Sequence, residues 1–143
     1  MIPLVLATML LGGPAEGKPT PREVARPATL WASSEALRLC LEATSAEIDA
    51  RLAYVKATGR VKALRWQLAA SAAAQREAVC ARGTVLKMTE GMAVEASVNP
   101  GVCAPEPLPL SPQGLVRVRV TVGKDAGAVG CMMPSDLRDP VPF

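Results

Sequence analysis

Four cysteines, Cys40, Cys80, Cys103 and Cys131, have the widest chemical range of any residues in this chain. A thiolate can attack a carbonyl, ligate a soft metal or oxidise to a disulfide. The first two uses lack their usual partners. The 143 residues contain no His, so no Cys–His or Ser–His pair can form and no imidazole can ligate zinc. A zinc site built from four thiolates normally uses closely spaced pairs, whereas these cysteines stand 40, 23 and 28 residues apart. Oxidation is the use that fits. Four cysteines allow three connectivities, and one bond per half, 40–80 with 103–131, is the reading adopted. Free thiols in a reducing compartment are the alternative. There is no GxSxG, SxxK, Walker A or GxGxxG motif. Asp125, Asp136 and Asp139 read as turn and cap residues. No catalytic residue, no metal ligand and no cofactor site is therefore assigned, and the chain is not read as an enzyme.

The second constellation is electrostatic. Arg51, Lys56, Arg60, Lys62 and Arg65 fall within fifteen residues that contain no acid, and Tyr54 and Trp66 lie among and beside them. Such a cluster suits an anionic membrane surface, an envelope polymer or an acidic protein partner. It also matches an ordinary solvated helix face. Net charge is only +3, which argues against nucleic acid as the partner.

These residues need elements to position them. Residues 2–11, IPLVLATMLL, are apolar but far short of the ~20 residues of a membrane span. Gly12, Gly13 and Pro14 end the run, and Ala15 and Gly17 form a small-x-small site. Residues 1–17 thus read as a signal peptide, and the protein as exported to the periplasm or beyond the cell. Residues 18–32 hold Pro19, Pro21 and Pro27 and read as an extended linker.

From Ser33 to Arg82 there is no Pro and one Gly, Gly59, among many strong helix formers. Ser33 or Ser34 can cap the start, and Gly83 can end the segment as its C′ residue. Leu37, Leu41, Thr44, Ile48, Leu52 and Val55 make one stripe at helical spacing; Val61, Leu64, Leu68, Ala72, Gln75 and Val79 make a second. A break at Gly59 gives an antiparallel hairpin over 33–82; no break gives one rod of roughly 75 Å. The cysteines favour the hairpin. Cys40 and Cys80 are symmetric about position 60, so a turn there sets them level. In a rod they would stand about 60 Å apart, far beyond the roughly 7 Å that a disulfide allows between Cα atoms.

Beyond Gly83 the pattern turns to strands: Thr84–Met88, Met92–Val98, the cleanly alternating Leu115–Val122 (LVRVRVTV) and Ala128–Met133, then a helical turn near Pro134–Leu137. Residues 99–114 carry five Pro and interrupt them. The ending Gly127-Ala-Val-Gly-Cys-Met-Met-Pro-Ser-Asp-Leu137 gives residues 83–140 a resemblance to bacterial SH3-like domains, which often close with a G-x-x-G-W-V strand, a short turn and Leu. Cys131 stands where that pattern has Trp. The resemblance implies a small antiparallel β module and no particular ligand.

The fold class is therefore α+β: signal peptide, linker, helical hairpin, SH3-like β domain. The function expected is an exported, non-enzymatic binding or scaffold protein of the cell envelope. Two alternatives stand beside it. One is a coiled-coil assembly protein, dimerised through the helical segment, in a phage lysis or envelope-spanning role. The other is a small hydrolase inhibitor that presents the loop at 99–114 around Cys103.

Overall fold

The computed structural model describes residues 18–98, 102–103 and 114–142. The expected leader, residues 1–17, and nearly all of the Pro-rich loop lie outside these. Strand β1 (Thr20–Val24) and strand β2 (Ala28–Trp31) lead into helix α1 (Ser34–Lys56) and helix α2 (Gly59–Gly83). Strands β3 (Thr84–Met88), β4 (Ala93–Ser97), β5 (Val116–Val120) and β6 (Val129–Met132) follow, then a 3-10 turn at Pro134–Asp136 and β7 (Leu137–Arg138). All seven strands join one antiparallel sheet in the order β3-β2-β6-β5-β4-β1-β7.

Two of these strands replace the expected linker at 18–32. Val24 and Leu30 are fully buried there, and β1 pairs with β4 from Thr20 opposite Ala96 to Glu23 opposite Ala93. The prolines are compatible with pairing for a topological reason. β7 reaches only Glu23 and Val24, so Pro21 lies where β1 has a neighbour on one side alone and a missing donor is tolerated. Pro27 falls in the bend between the strands.

The main core is Val24, Leu30, Met88, Val94, Val118, Val120 and Met132, drawn from six of the strands. Burying a side chain such as Leu30 or Met88 contributes about 1.5–3 kcal/mol. The alternation of β5 holds at its centre, where Val118 and Val120 are buried while Arg119 reaches Glu95 on β4 at 2.7 Å, but the strand ends at Val120 and Val122 is exposed. A second cluster joins the sheet to the helices: Trp31, Leu37, Cys40, Cys103, Leu115 and Cys131.

β2, α1, α2 and β3 together form one long excursion between β1 and β4. β2 pairs with β3 below it, Ala28 opposite Met88 and Leu30 opposite Leu86, and the helices rise above. The helices meet at Ala57 and Thr58, and Gly59 takes φ +61°, a left-handed conformation that suits glycine. The hairpin is thus the architecture, and the single rod is excluded. At the far end Gly83 is not a left-handed C′ residue. It closes α2 in ordinary helical geometry, and a Cβ on it would stand 2.9 Å from Ala36 Cβ. Glycine serves close approach there, a requirement that spacing alone does not reveal.

Candidate functional site

The hairpin is tied to the sheet at its base by several bonds. Ser33 caps α1, its Oγ accepting from Ala36 N–H at 3.1 Å. Ala32 N–H donates to the Gly83 carbonyl at 2.8 Å and Ser34 N–H to the Val102 carbonyl at 3.0 Å. Cys40 and Cys80 form a disulfide with Cα atoms 4.7 Å apart, and Cys103 and Cys131 form a second at 5.5 Å. All four thiols are consumed, so none is left as a nucleophile or a zinc ligand. The first bond locks α1 to α2 beside Trp31; the second holds position 103 to β6.

Above the disulfide the helices meet through small and paired residues. Glu47 is 6% exposed and in ion-pair contact with Arg76 from α2, with Arg51 at 3.6 Å on its other side. A carboxylate at that depth requires such partners. Ala69 is buried between the helices. On the outer surface of α1, Arg38 bridges Glu35 and Glu42, and its guanidinium holds Glu35 below the usual carboxylate range.

This mode of packing leaves the expected apolar stripes largely uncovered. In the first stripe Leu37 is buried and Leu41 and Thr44 are half-buried, but Ile48, Leu52 and Val55 are exposed. In the second, Val61, Leu64 and Leu68 are exposed, as is Trp66 beside them. The stripes also emerge on opposite sides. One groove is lined by Leu39, Ala43 and Ala46 with Gln75 and Val79; the other by Thr44 and Cys40 with Arg76 and Ala81. Residues at i, i+3 and i+4 share a helix face. The stripe running outward from Thr44 and the stripe ending at Val79 therefore flank the hairpin on its two faces. Periodicity signalled both stripes, but not that a small residue, Ala69, would be buried between the helices in their place.

The five basic residues singled out from sequence are all exposed, and the fold gathers them at the distal end, on both sides of the turn. Lys62 Nζ lies 5.0 Å from the centre of the Tyr54 ring, a cation–π contact between the two helices. No carboxylate among the described residues lies within ion-pair distance of Lys56, Arg60, Lys62 or Arg65. The first turn of α2 carries no acid, so its dipole adds to the same positive field.

Two further observations bear on chemistry. Asp136 is buried at the 3-10 turn, and desolvation raises its pKa, with Arg26 at 3.8 Å acting in the opposite direction. No group of three or more His, Cys, Asp or Glu among the described residues could hold a metal ion, and no described helix is long and apolar enough to cross a membrane. Compared with protein-family models, curated proteins and solved structures, the chain matches none.

Proposed function

We propose that this chain is an exported, non-enzymatic binding or scaffold protein of the cell envelope, placed in the periplasm or outside the cell. In this reading the sheet is an SH3-like module and the helical hairpin, inserted in its first long connection, is the binding element. Strand order supports the SH3-like reading. With the β2–α1–α2–β3 excursion set aside, β1, β4, β5 and β6 run as an antiparallel series, and a 3-10 turn returns β7 to β1. The module then begins at β1, so the stretch from position 83 supplies only part of it. Two disulfides support export, because such bonds persist in oxidising compartments.

The observation that carries the binding role is the contrast along the hairpin. Its base is capped, cross-linked and docked, whereas its outer part exposes Ile48, Leu52, Val55, Val61, Leu64, Trp66 and Leu68. Exposed apolar surface of that extent on a rigid element marks an interaction site.

The test is fractionation of a bacterial host expressing the full chain beside a variant carrying Ile48→Gln, Leu52→Gln, Leu64→Gln and Leu68→Gln. The wild type should be recovered outside the cytoplasm, oxidised and associated with the envelope. The variant should reach the same compartment, equally oxidised, but be released from the envelope. A reduced chain in the cytoplasm, or identical distribution of the two proteins, would overturn the reading.

A further inference from the structure

We infer that the hairpin tip docks end-on against an anionic lipid surface, an inference that rests on the hairpin being the binding element and names its partner. In this geometry Leu52, Val55, Val61 and Leu64 enter the headgroup layer while Arg51, Lys56, Arg60, Lys62 and Arg65 meet lipid phosphates.

Charge segregation is the first support. The chain has sixteen basic and thirteen acidic residues. Five of the bases and none of the acids lie between Arg51 and Arg65, so the rest of the protein is net negative by two. The positive field is thus confined to one end; Arg51 faces Glu47 at 3.6 Å, but no carboxylate among the described residues pairs with Lys56, Arg60, Lys62 or Arg65. The nearest acids along the helices are Asp49 on α1 and Glu77 on α2, and Glu47 is already paired with Arg76.

Depth is the second. Leu52 and Leu64 stand about five residues from the turn, and at ~1.5 Å per residue this is about 8 Å from the tip. Interfacial helices bury their apolar side chains about 5–10 Å into the headgroup and acyl boundary. Leu52 (51% exposed), Val55 (69%), Val61 and Leu64 (62%) lie in that layer, with Trp66 (59%) just behind it. Trp at such a boundary is well placed, with its ring apolar and its indole N–H wet.

Arrangement is the third. The apolar side chains flank the hairpin on both faces, so a second copy or a flat protein partner seated on one face would leave the other exposed. A fluid surface entered end-on surrounds both faces at once. From Cys40 to Lys56 is about 24 Å of helix, enough to hold the base and the sheet clear of the surface.

The experiment uses the oxidised full chain and sucrose-loaded vesicles of phosphatidylcholine, with and without phosphatidylglycerol. Binding is read by co-sedimentation and by the emission of Trp66. Sedimentation should require phosphatidylglycerol, weaken as salt rises, and shift tryptophan emission to the blue, the shift being lost in Trp66→Phe. Near an anionic surface each basic residue is worth a factor of about five, so Arg60→Gln with Lys62→Gln should weaken binding by about thirtyfold. Both side chains are exposed, and an unchanged far-UV spectrum checks the fold. Equal binding to both vesicle types, no binding to the anionic ones, or unchanged affinity in the double variant would overturn the inference. Binding to soluble polyphosphate without vesicle binding would assign the tip to an anionic polymer and overturn it too. If vesicle binding fails while envelope association in cells still depends on the four exposed apolar residues, lipid is the wrong partner and the binding role of the hairpin survives. If both fail, the role itself is wrong.

Discussion

Replacing Cys40 and Cys80 together by alanine should cost this protein about 4–5 kcal/mol. The bond closes a loop of 40 residues. The chain-entropy relation for n of about 40 gives a loss near 13 cal/mol/K, or about 3.9 kcal/mol at 25 °C. Cys40 is buried and Cys80 half-buried, and trimming the sulfurs removes up to about 1 kcal/mol more of apolar burial. Alanine is the right replacement because serine at the buried Cys40 would add a polar group needing a partner. Domains of this size hold about 5–15 kcal/mol in total, so the variant should be marginal. Urea unfolding of the oxidised proteins, followed by far-UV circular dichroism and by Trp31 emission, measures the loss. Trp31 lines the same groove as Cys40 and Cys80, so it reports on the base directly. A loss below about 2 kcal/mol with an unchanged m-value would refute the reasoning. The helix contact through Ala69 and the Glu47–Arg76 pair would then suffice without the brace.

Gly83→Ala places a Cβ 2.9 Å from that of Ala36 and should lower stability by about 1–3 kcal/mol; Ala36→Gly in the same chain should restore most of it, both read by urea unfolding. Asp136 is pushed above its ordinary pKa by burial, so its contribution to stability is complete at acid pH and is lost as pH rises through the folded-state value. Asp136→Asn should therefore match or exceed the wild-type melting temperature at neutral pH, with the difference narrowing on acidification in a series of thermal melts.

The elements legible from sequence were those marked by residue pattern or by the placing of the cysteines. β5 announced itself by alternation, Ser33 by its place before a helical run, and the turn at Gly59 by the symmetry of Cys40 and Cys80. Three features depended on the rest of the fold. β1 and β2 were hidden by Pro19, Pro21 and Pro27, since tolerance of proline follows from where β7 stops. The stripes through Leu52 and Leu64 were legible as amphipathic faces, but periodicity does not state whether the chain itself covers a face. Alanines and a buried ion pair supply the helix contact, so it does not. The basic run was visible as charge, while the absence of a carboxylate partner for Lys56, Arg60, Lys62 and Arg65 among the described residues follows from where the fold puts the acids: Glu47, the acid nearest the tip that is paired, is taken by Arg51 and Arg76.

The most direct test of the disulfide brace and of the proposed export is intact and peptide mass spectrometry, without reduction, of the protein recovered from its native compartment. The account expects single chains outside the cytoplasm, four hydrogens lighter than the reduced mass, with Cys40 linked to Cys80 and Cys103 to Cys131. Four free thiols on a cytoplasmic chain, or bonds that cross between chains, would contradict it.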